Sequence, residues 1–170
     1  CALPIYLMVM IRIIFISLLS TLVLSCGFEL QNTSNISEKL DALTIKTNNP
    51  YSIFYRTLRN QFRESGTKII DDVSQSDYTL TILMDESEQR TLSVSATNTP
   101  QEYEVYYRVT WSFSQGDKTI LEAVTNLRTQ DYTFDQRQLL GKSNESQMIK
   151  QALAKDIAQE VIFRLNEEEF

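Results

Sequence analysis

Histidine is absent from the 170 residues, cysteine occurs twice and glycine four times. Without histidine there is no Ser-His-Asp or Cys-His nucleophile, no histidine-ligated zinc and no imidazole proton shuttle near neutral pH. Catalysis would have to rest on carboxylates, lysine or tyrosine. The glycines, at 27, 66, 116 and 141, are scattered, so no glycine-rich loop is available to cradle a phosphate. Cys1 and Cys26 form no cluster for a transition metal, and no cofactor is implied. Positive charge is also short. Lys+Arg number 16 against 22 Asp+Glu, a formal charge of −6. A general nucleic-acid binder needs cations to displace counterions along the phosphates, so that class of partner is excluded. What is present is a hydrophobic fraction of 42%, enough for one globular domain.

The N-terminal segment differs from the rest. After Arg12 an uncharged, mostly apolar run extends from Ile13 to Ser25 and ends at Cys26. As a helix this run is about 20 Å long, short of the roughly 30 Å hydrocarbon core of a bilayer. A basic residue, a short apolar run and a small residue before a break describe a secretory signal peptide over residues 1–25. Residues 1–9 are apolar too, so the stretch from Cys1 has a second reading, a spanning helix with a charge at Arg12. Met10-Ile11-Arg12 makes an ordinary start, which would leave residues 1–9 as an overextended N-terminus. Val23-Leu24-Ser25-Cys26 resembles the lipobox of bacterial lipoproteins, in which the thiol receives diacylglycerol and the new N-terminus is acylated. Several acyl chains, at about 0.8 kcal/mol per buried methylene, hold a protein stably on a bilayer. Gly27, not Asp, follows the cysteine, which by resemblance to enterobacterial lipoproteins argues for the outer membrane. With Cys26 lipidated and Cys1 removed, no thiol remains for a disulfide, and the fold must stand on its core.

Residues 26–39 carry the lipidated cysteine and a polar tether rich in Asn and Ser, and residues 40–170 form one domain. Leu40 to Thr47 reads as a first strand. Asn49-Pro50 reads as N-cap and first helical position, and Gly66 as a left-handed stop, which brackets a helix over 51–65. Tyr51, Phe54, Tyr55, Leu58 and Phe62 then share its buried face. Alternation predicts strands with Tyr78, Leu80, Ile82 and Met84 on one side, and Leu92, Val94 and Ala96 on one side of the next. The clearest strand sets Tyr103, Val105, Tyr107, Val109, Trp111 and Phe113 against Glu102, Glu104, Tyr106, Arg108, Thr110 and Ser112. Gln115-Gly116-Asp117 turns the chain into a strand over 119–129. Residues 130–143 read as a polar loop anchored by Tyr132, Phe134, Leu139 and Leu140. A last helix over 145–166 stripes Met148, Ile149, Ala152, Leu153, Ile157, Val161, Ile162 and Leu165 on one face. The order β-α-β-β-β-β-α, with a short extra strand at 67–71, predicts an α+β fold. It is a two-layer α/β sandwich, a mixed and mainly antiparallel sheet with two helices on one face. On the other face Thr79, Thr81, Ser93, Ser95, Thr110 and Ser112 offer short hydroxyls, fit either for water or for another protein.

Carboxylate pairs are the remaining acid/base candidates, at Asp71-Asp72, Asp85-Glu86-Glu88 and Glu167-Glu168-Glu169. They fall at strand ends and the C-terminal tail, where charge runs are usually solvated, so no enzyme is expected. Arg56, Arg59 and Arg63 fall at i, i+3 and i+7 of the first helix, a guanidinium stripe open to solvent or to a partner. Arg137 and Lys142 precede the last helix and are donors a phosphorylated glycolipid would seek.

A resemblance now becomes specific. Cys26-Gly27-Phe28-Glu29-Leu30, then Arg56-Thr57-Leu58-Arg59-Asn60-Gln61-Phe62-Arg63 with Gly66 after it, look like the LptE (RlpB) family. So do Glu102-Tyr103 opening a long strand, Gly116 in the hairpin, Arg128, and Leu140-Gly141-Lys142 with Glu145 before an amphipathic helix. The resemblance implies a non-catalytic, lipid-anchored protein of the Gram-negative outer membrane, facing the periplasm. Such proteins plug the LptD barrel translocon, assist its assembly and contact lipopolysaccharide on its way to the outer leaflet. Lys142 aligns with a family lysine implicated in that contact. The family's companion arginine would fall near residues 96–99, where this chain has no basic residue; Arg90 lies further back. The alternative is another envelope lipoprotein, a binding or scaffolding module without a translocon.

Overall fold

The computed structural model describes residues 6, 10–12, 36–72, 75–133 and 142–169. The chain divides into two compact units, Cys1–Asn32 and Thr33–Phe170. In the first, residue 6 and residues 10–12 are helical and exposed. In the second the order is α1 (Ile36–Lys39), β1 (Ala42–Thr47), α2 (Ile53–Glu64), β2 (Lys68–Ile69), β3 (Tyr78–Val94), β4 (Pro100–Gln115), β5 (Lys118–Thr133) and α3 (Lys142–Glu167). Among the described residues no helix is long and apolar enough to cross a membrane.

The five strands make one sheet in the order β2-β1-β3-β4-β5. β1 runs parallel to both β2 and β3, while β3-β4 and β4-β5 are antiparallel. α2 supplies Phe54, Leu58 and Phe62 and α3 supplies Ile157, Val161 and Leu165 to a single core with Leu43, Leu80, Val105, Val109, Trp111 and Phe113. Both helices therefore cover one face of the sheet, the predicted two-layer sandwich. Each fully buried aliphatic or aromatic side chain contributes about 1.5–3 kcal/mol, so this interface dominates stability. One buried polar pair on the core side joins β4 to β5. Trp111 Nε1 donates to Asn126 Oδ1 at 2.8 Å, both residues being buried.

Local chemistry moves several predicted boundaries. α2 starts at Ile53, because Asn49-Pro50-Tyr51 forms a turn in which Ser52 N–H donates to the Asn49 carbonyl at 3.2 Å. Ser52 is the N-cap, its side chain accepting the Tyr55 N–H at 3.0 Å. Tyr51 is consequently 85% exposed and not on the buried face. The helix stop at Gly66 is as predicted. Gly66 has φ +93, its N–H donates to the Arg63 carbonyl at 3.1 Å, and Thr67 N–H donates to the Phe62 carbonyl at 3.0 Å, a Schellman ending. The extra strand at 67–71 is the two-residue β2.

Other readings are corrected. The stretch read as tether ends in α1, whose Ile36 is fully buried and whose Lys39 ammonium donates to the carbonyls of Asn166 and Glu168. Leu40 closes this turn, its N–H on the Ile36 carbonyl at 2.8 Å, so the first strand starts at Ala42. The strands at 78–84 and 91–97 are one continuous β3. The final strand continues to Thr133, so Tyr132 is buried in the sheet and stacks on Tyr103, with centroids 5.6 Å apart. Phe134, Leu139 and Leu140 lie outside the described residues. α3 begins three residues before the predicted 145, with Met148 and Ala152 exposed and Ala154 and Ala158 buried in their place.

Candidate functional site

The predicted site residues separate. Cys26 and Arg137 lie outside the described residues, and Lys142 is the first residue of α3. Arg56, Arg59 and Arg63 all lie on α2, and the stripe is interrupted. Arg59 faces Asp71, with Nη2 3.6 Å from Oδ1, and its side chain is 29% exposed. Arg56 is exposed and folds back so that Nε donates to the Ser52 carbonyl at 3.3 Å. Arg63 is exposed in the last turn, where a cation favours the carbonyl end of the helix dipole. Two open guanidinium groups thus flank one that is engaged. Arg90 is paired with Glu104, Nε to Oε1 at 2.5 Å.

The acidic run of β3 is absorbed by cross-strand pairs. Arg108 Nη1 lies 3.1 Å from Glu86 Oε1, and the Tyr106 hydroxyl donates to Glu88 Oε2 at 3.1 Å. Burial, then the Glu88 carboxylate, raise the Tyr106 hydroxyl above its usual range. Asp85 points the other way, because a register shift between Ile82 and Met84 inverts the alternation. Its Oδ1 accepts the Tyr107 hydroxyl at 2.9 Å, and that hydroxyl accepts the Phe54 N–H at 3.2 Å. Tyr107 therefore ties β3, β4 and the first turn of α2 together. Burial first, and then the Asp85 carboxylate, push its hydroxyl well above the ordinary tyrosine value. Sequence reading missed this strut, whose only signal was an acid inside a strand pattern.

The arrangement fits recognition better than chemistry. Among the described residues no group of His, Cys, Asp or Glu could hold a metal ion. A cleft of about 330 Å³ between α1 and the start of β3 is lined by Glu38, Lys39, Asp41, Ser76, Asp77 and others. Its three carboxylates repel phosphates, and Ala42 and Tyr78 are too little apolar wall for the acyl chains of a glycolipid. The hydroxyl face opposite the helices is observed, with changes. Thr79 is 8% exposed and Thr44 beside it 2%. Thr81, Ser93, Thr110 and Ser112 are half-buried, and Ser95 lies in the β3-β4 turn.

The family model described as LptE, lipopolysaccharide-assembly, matches residues 40–165, which spans every strand and nearly all of α3. The chain belongs to the LptE family. The LPS-assembly lipoprotein LptE of Pectobacterium atrosepticum is 27% identical over 142 residues, covering 82% of this chain and 76% of its own. That of Yersinia enterocolitica is 27% identical over 143 residues, covering 82% and 68%. Among solved structures, the rare lipoprotein B of Shewanella oneidensis superposes with a TM-score of 0.63 at 24% identity, covering 74% of this chain and 93% of that one. Lipoprotein B of Nitrosomonas europaea also gives 0.63, at 21% identity, covering 72% and 80%. LptE membership thus joins a lipopolysaccharide-assembly family to a sandwich whose fold these lipoproteins share.

Proposed function

We propose that this chain is an outer-membrane lipoprotein, anchored through acylated Cys26 and facing the periplasm, that plugs and helps assemble an LptD-type barrel and so supports lipopolysaccharide delivery to the outer leaflet. It catalyses no reaction. The observation that carries the reading is the family match across residues 40–165, together with an apolar run that ends at Cys26. A sandwich in which Asp85, Glu86, Glu88 and Glu104 are engaged by cross-strand partners is suited to filling and bracing another molecule. Lys142 and Arg137 are the groups offered to lipopolysaccharide phosphates, and Arg56 and Arg63 are the cations of α2 open to a partner, with Arg59 held behind them.

The test is recovery from detergent-solubilised outer membranes. The full chain should bring down a large barrel protein, and mass spectrometry of the mature N-terminus should find acylated Cys26. Recovery as a lone monomer under mild detergent counts against the plug. Recovery of cell-wall components without a barrel would make it a scaffolding lipoprotein of another kind.

A further inference from the structure

Building on the reading of Cys26 as acylated, we propose that the β2 edge of the sandwich, with the guanidinium stripe of α2 beside it, seats the anchored domain on the anionic phospholipid headgroups of its own bilayer. Charge is segregated along the chain. Residues 42–72 hold five cations, Lys46, Arg56, Arg59, Arg63 and Lys68, against three acids, Glu64, Asp71 and Asp72, within a chain of net charge −6. The fold gathers those cations on one side. Arg59 faces Asp71, just beyond β2, while Gln61, on the other side of α2, donates through Nε2 to the Lys155 carbonyl of α3 at 3.4 Å. Arg56 and Arg63, at i−3 and i+4 from Arg59, therefore lie along the β2 side of the helix, and both are exposed. β2 is the edge of the sheet, its Lys68 exposed, and Lys46 is exposed on β1 next to it. Of the three acids Asp71 is taken up by Arg59, so Lys46, Arg56, Arg63 and Lys68 stand against Glu64 and Asp72.

The chain enters the domain at this same edge. Ser37 of α1 packs against Gly66, which ends α2 and lies between Arg63 and Lys68 in the sequence: a Cβ on Gly66 would lie 3.3 Å from Ser37 Cβ. Between α1 and β1 the Asp41 carbonyl accepts the Lys68 N–H at 3.0 Å. Nine residues separate Cys26 from Ile36, a span of at most about 35 Å. With the thiol acylated, the leaflet surface is thus held within short reach of the basic edge, while β3 carries the β3-β4 turn about 50 Å away from its own start beside β1. Anionic headgroups attract cations held at their surface, each adding to the acyl anchor, and repel Glu86, Glu88, Glu102, Glu104 and Asp131 on the far part of the ribbon. The domain then rests with its α2 edge down. Without the anchor the net charge opposes the encounter, so the seat works only on a tethered domain. An acidic protein segment would meet the same cations, but the leaflet is what the chain itself fixes beside them.

The mature acylated chain in vesicles tests this. With Cys26 acylated, a fluorophore can be placed singly through Asn60→Cys, between Arg56 and Arg63 on the stripe, or through Thr97→Cys in the β3-β4 turn. Lipids carrying a quencher on the headgroup should quench the Asn60 label about threefold more in phosphatidylcholine vesicles containing phosphatidylglycerol than in phosphatidylcholine alone, and about threefold more than the Thr97 label. The excess should vanish in 1 M salt, where the screening length falls to about 3 Å. It should vanish too in Arg56→Glu with Arg63→Glu, whereas the lipid and salt comparisons leave the stripe itself unaltered. Quenching at Asn60 indifferent to phosphatidylglycerol or to salt, stronger quenching at Thr97, or photo-crosslinking from position 60 in outer membranes to protein and not to phospholipid would each overturn the seat while leaving anchor and plug intact. A mature chain whose Cys26 carries no acyl group would remove anchor and seat together.

Discussion

Tyr107 is 2% exposed, yet its hydroxyl accepts the Phe54 N–H and donates to Asp85, whose other carboxylate oxygen is buried without a donor among the described residues. Tyr107→Phe keeps the ring packing and removes both bonds, so it should cost about 2 kcal/mol in urea unfolding at pH 8. The pH dependence has a definite sign. In the unfolded chain the hydroxyl loses its proton near the ordinary value of 10.0, and in the folded protein burial and Asp85 hold the proton to higher pH. Below about pH 10 the proton is bound in both states and stability is unaffected. Above it the unfolded state binds fewer protons, and native stability falls by about 1.4 kcal/mol per pH unit from this group. The variant lacks that loss, so its deficit against the native protein should shrink between pH 8 and pH 11. A deficit constant across that range would show that the hydroxyl is not shielded.

The elements show where sequence periodicity is a sufficient guide and where it is not. β4 has no register shift between Glu102 and Trp111, so Tyr103 to Phe113 alternate as read, and Trp111 and Phe113 are fully buried. α2 ends where Gly66 predicts, since the positive φ has a single inexpensive occupant and a Cβ there would lie 3.3 Å from Ser37 Cβ. β3 was legible only as far as Ile82. One extra residue at the bulge turns Met84 outward and Asp85 inward, and nothing in a period of two announces that inversion. Beyond it Leu92 and Val94 are 46% and 52% exposed, because β3 outruns the helices that bury its first half. The start of α2 was misplaced for a similar reason, as Asn49-Pro50 and Ser52 offer two competing caps. The side-chain bond from Ser52 to the Tyr55 N–H decides between them. Ser52→Ala should therefore lower the thermal midpoint by an amount corresponding to about 1 kcal/mol, and Asn49→Ala by clearly less. Equal effects would restore Asn49 as the cap. Gly66→Ala should cost about 1–2 kcal/mol, measured in the same way, through the left-handed backbone and the contact with Ser37.

Over the whole molecule the charge is uneven in a way that bears on ligand choice. The chain carries −6 in total, and on the face of β3, β4 and β5 away from the helices Glu86, Glu88, Glu102, Glu104 and Asp131 outnumber Arg90 and Arg108 by three. Long-range attraction cannot therefore bring a phosphorylated glycolipid to this protein. Any affinity must come from a few cations close to the phosphates, over distances shorter than the roughly 8 Å screening length at physiological salt. Internal pairs engage five of the arginines: Arg59 with Asp71, Arg90 with Glu104, Arg108 with Glu86, Arg128 with Glu160, and Arg164 with Glu168. Lys142 is the first residue of α3, at a helix N-terminus that itself favours anions, and Arg137 comes five residues earlier in the sequence. Lys142→Glu combined with Arg137→Glu should weaken lipopolysaccharide binding about tenfold at low ionic strength. The difference from the native protein should narrow as salt is raised, because the lost contribution is a charge contact and not buried surface. Arg56→Glu with Arg63→Glu, an equal change of charge on α2, should leave that binding nearly intact. If both double variants weaken binding equally, the effect is one of net charge and the pair before α3 is not a site. If only the first does, and in a salt-dependent manner, the glycolipid contact rests on Arg137 and Lys142, between β5 and α3 in the sequence.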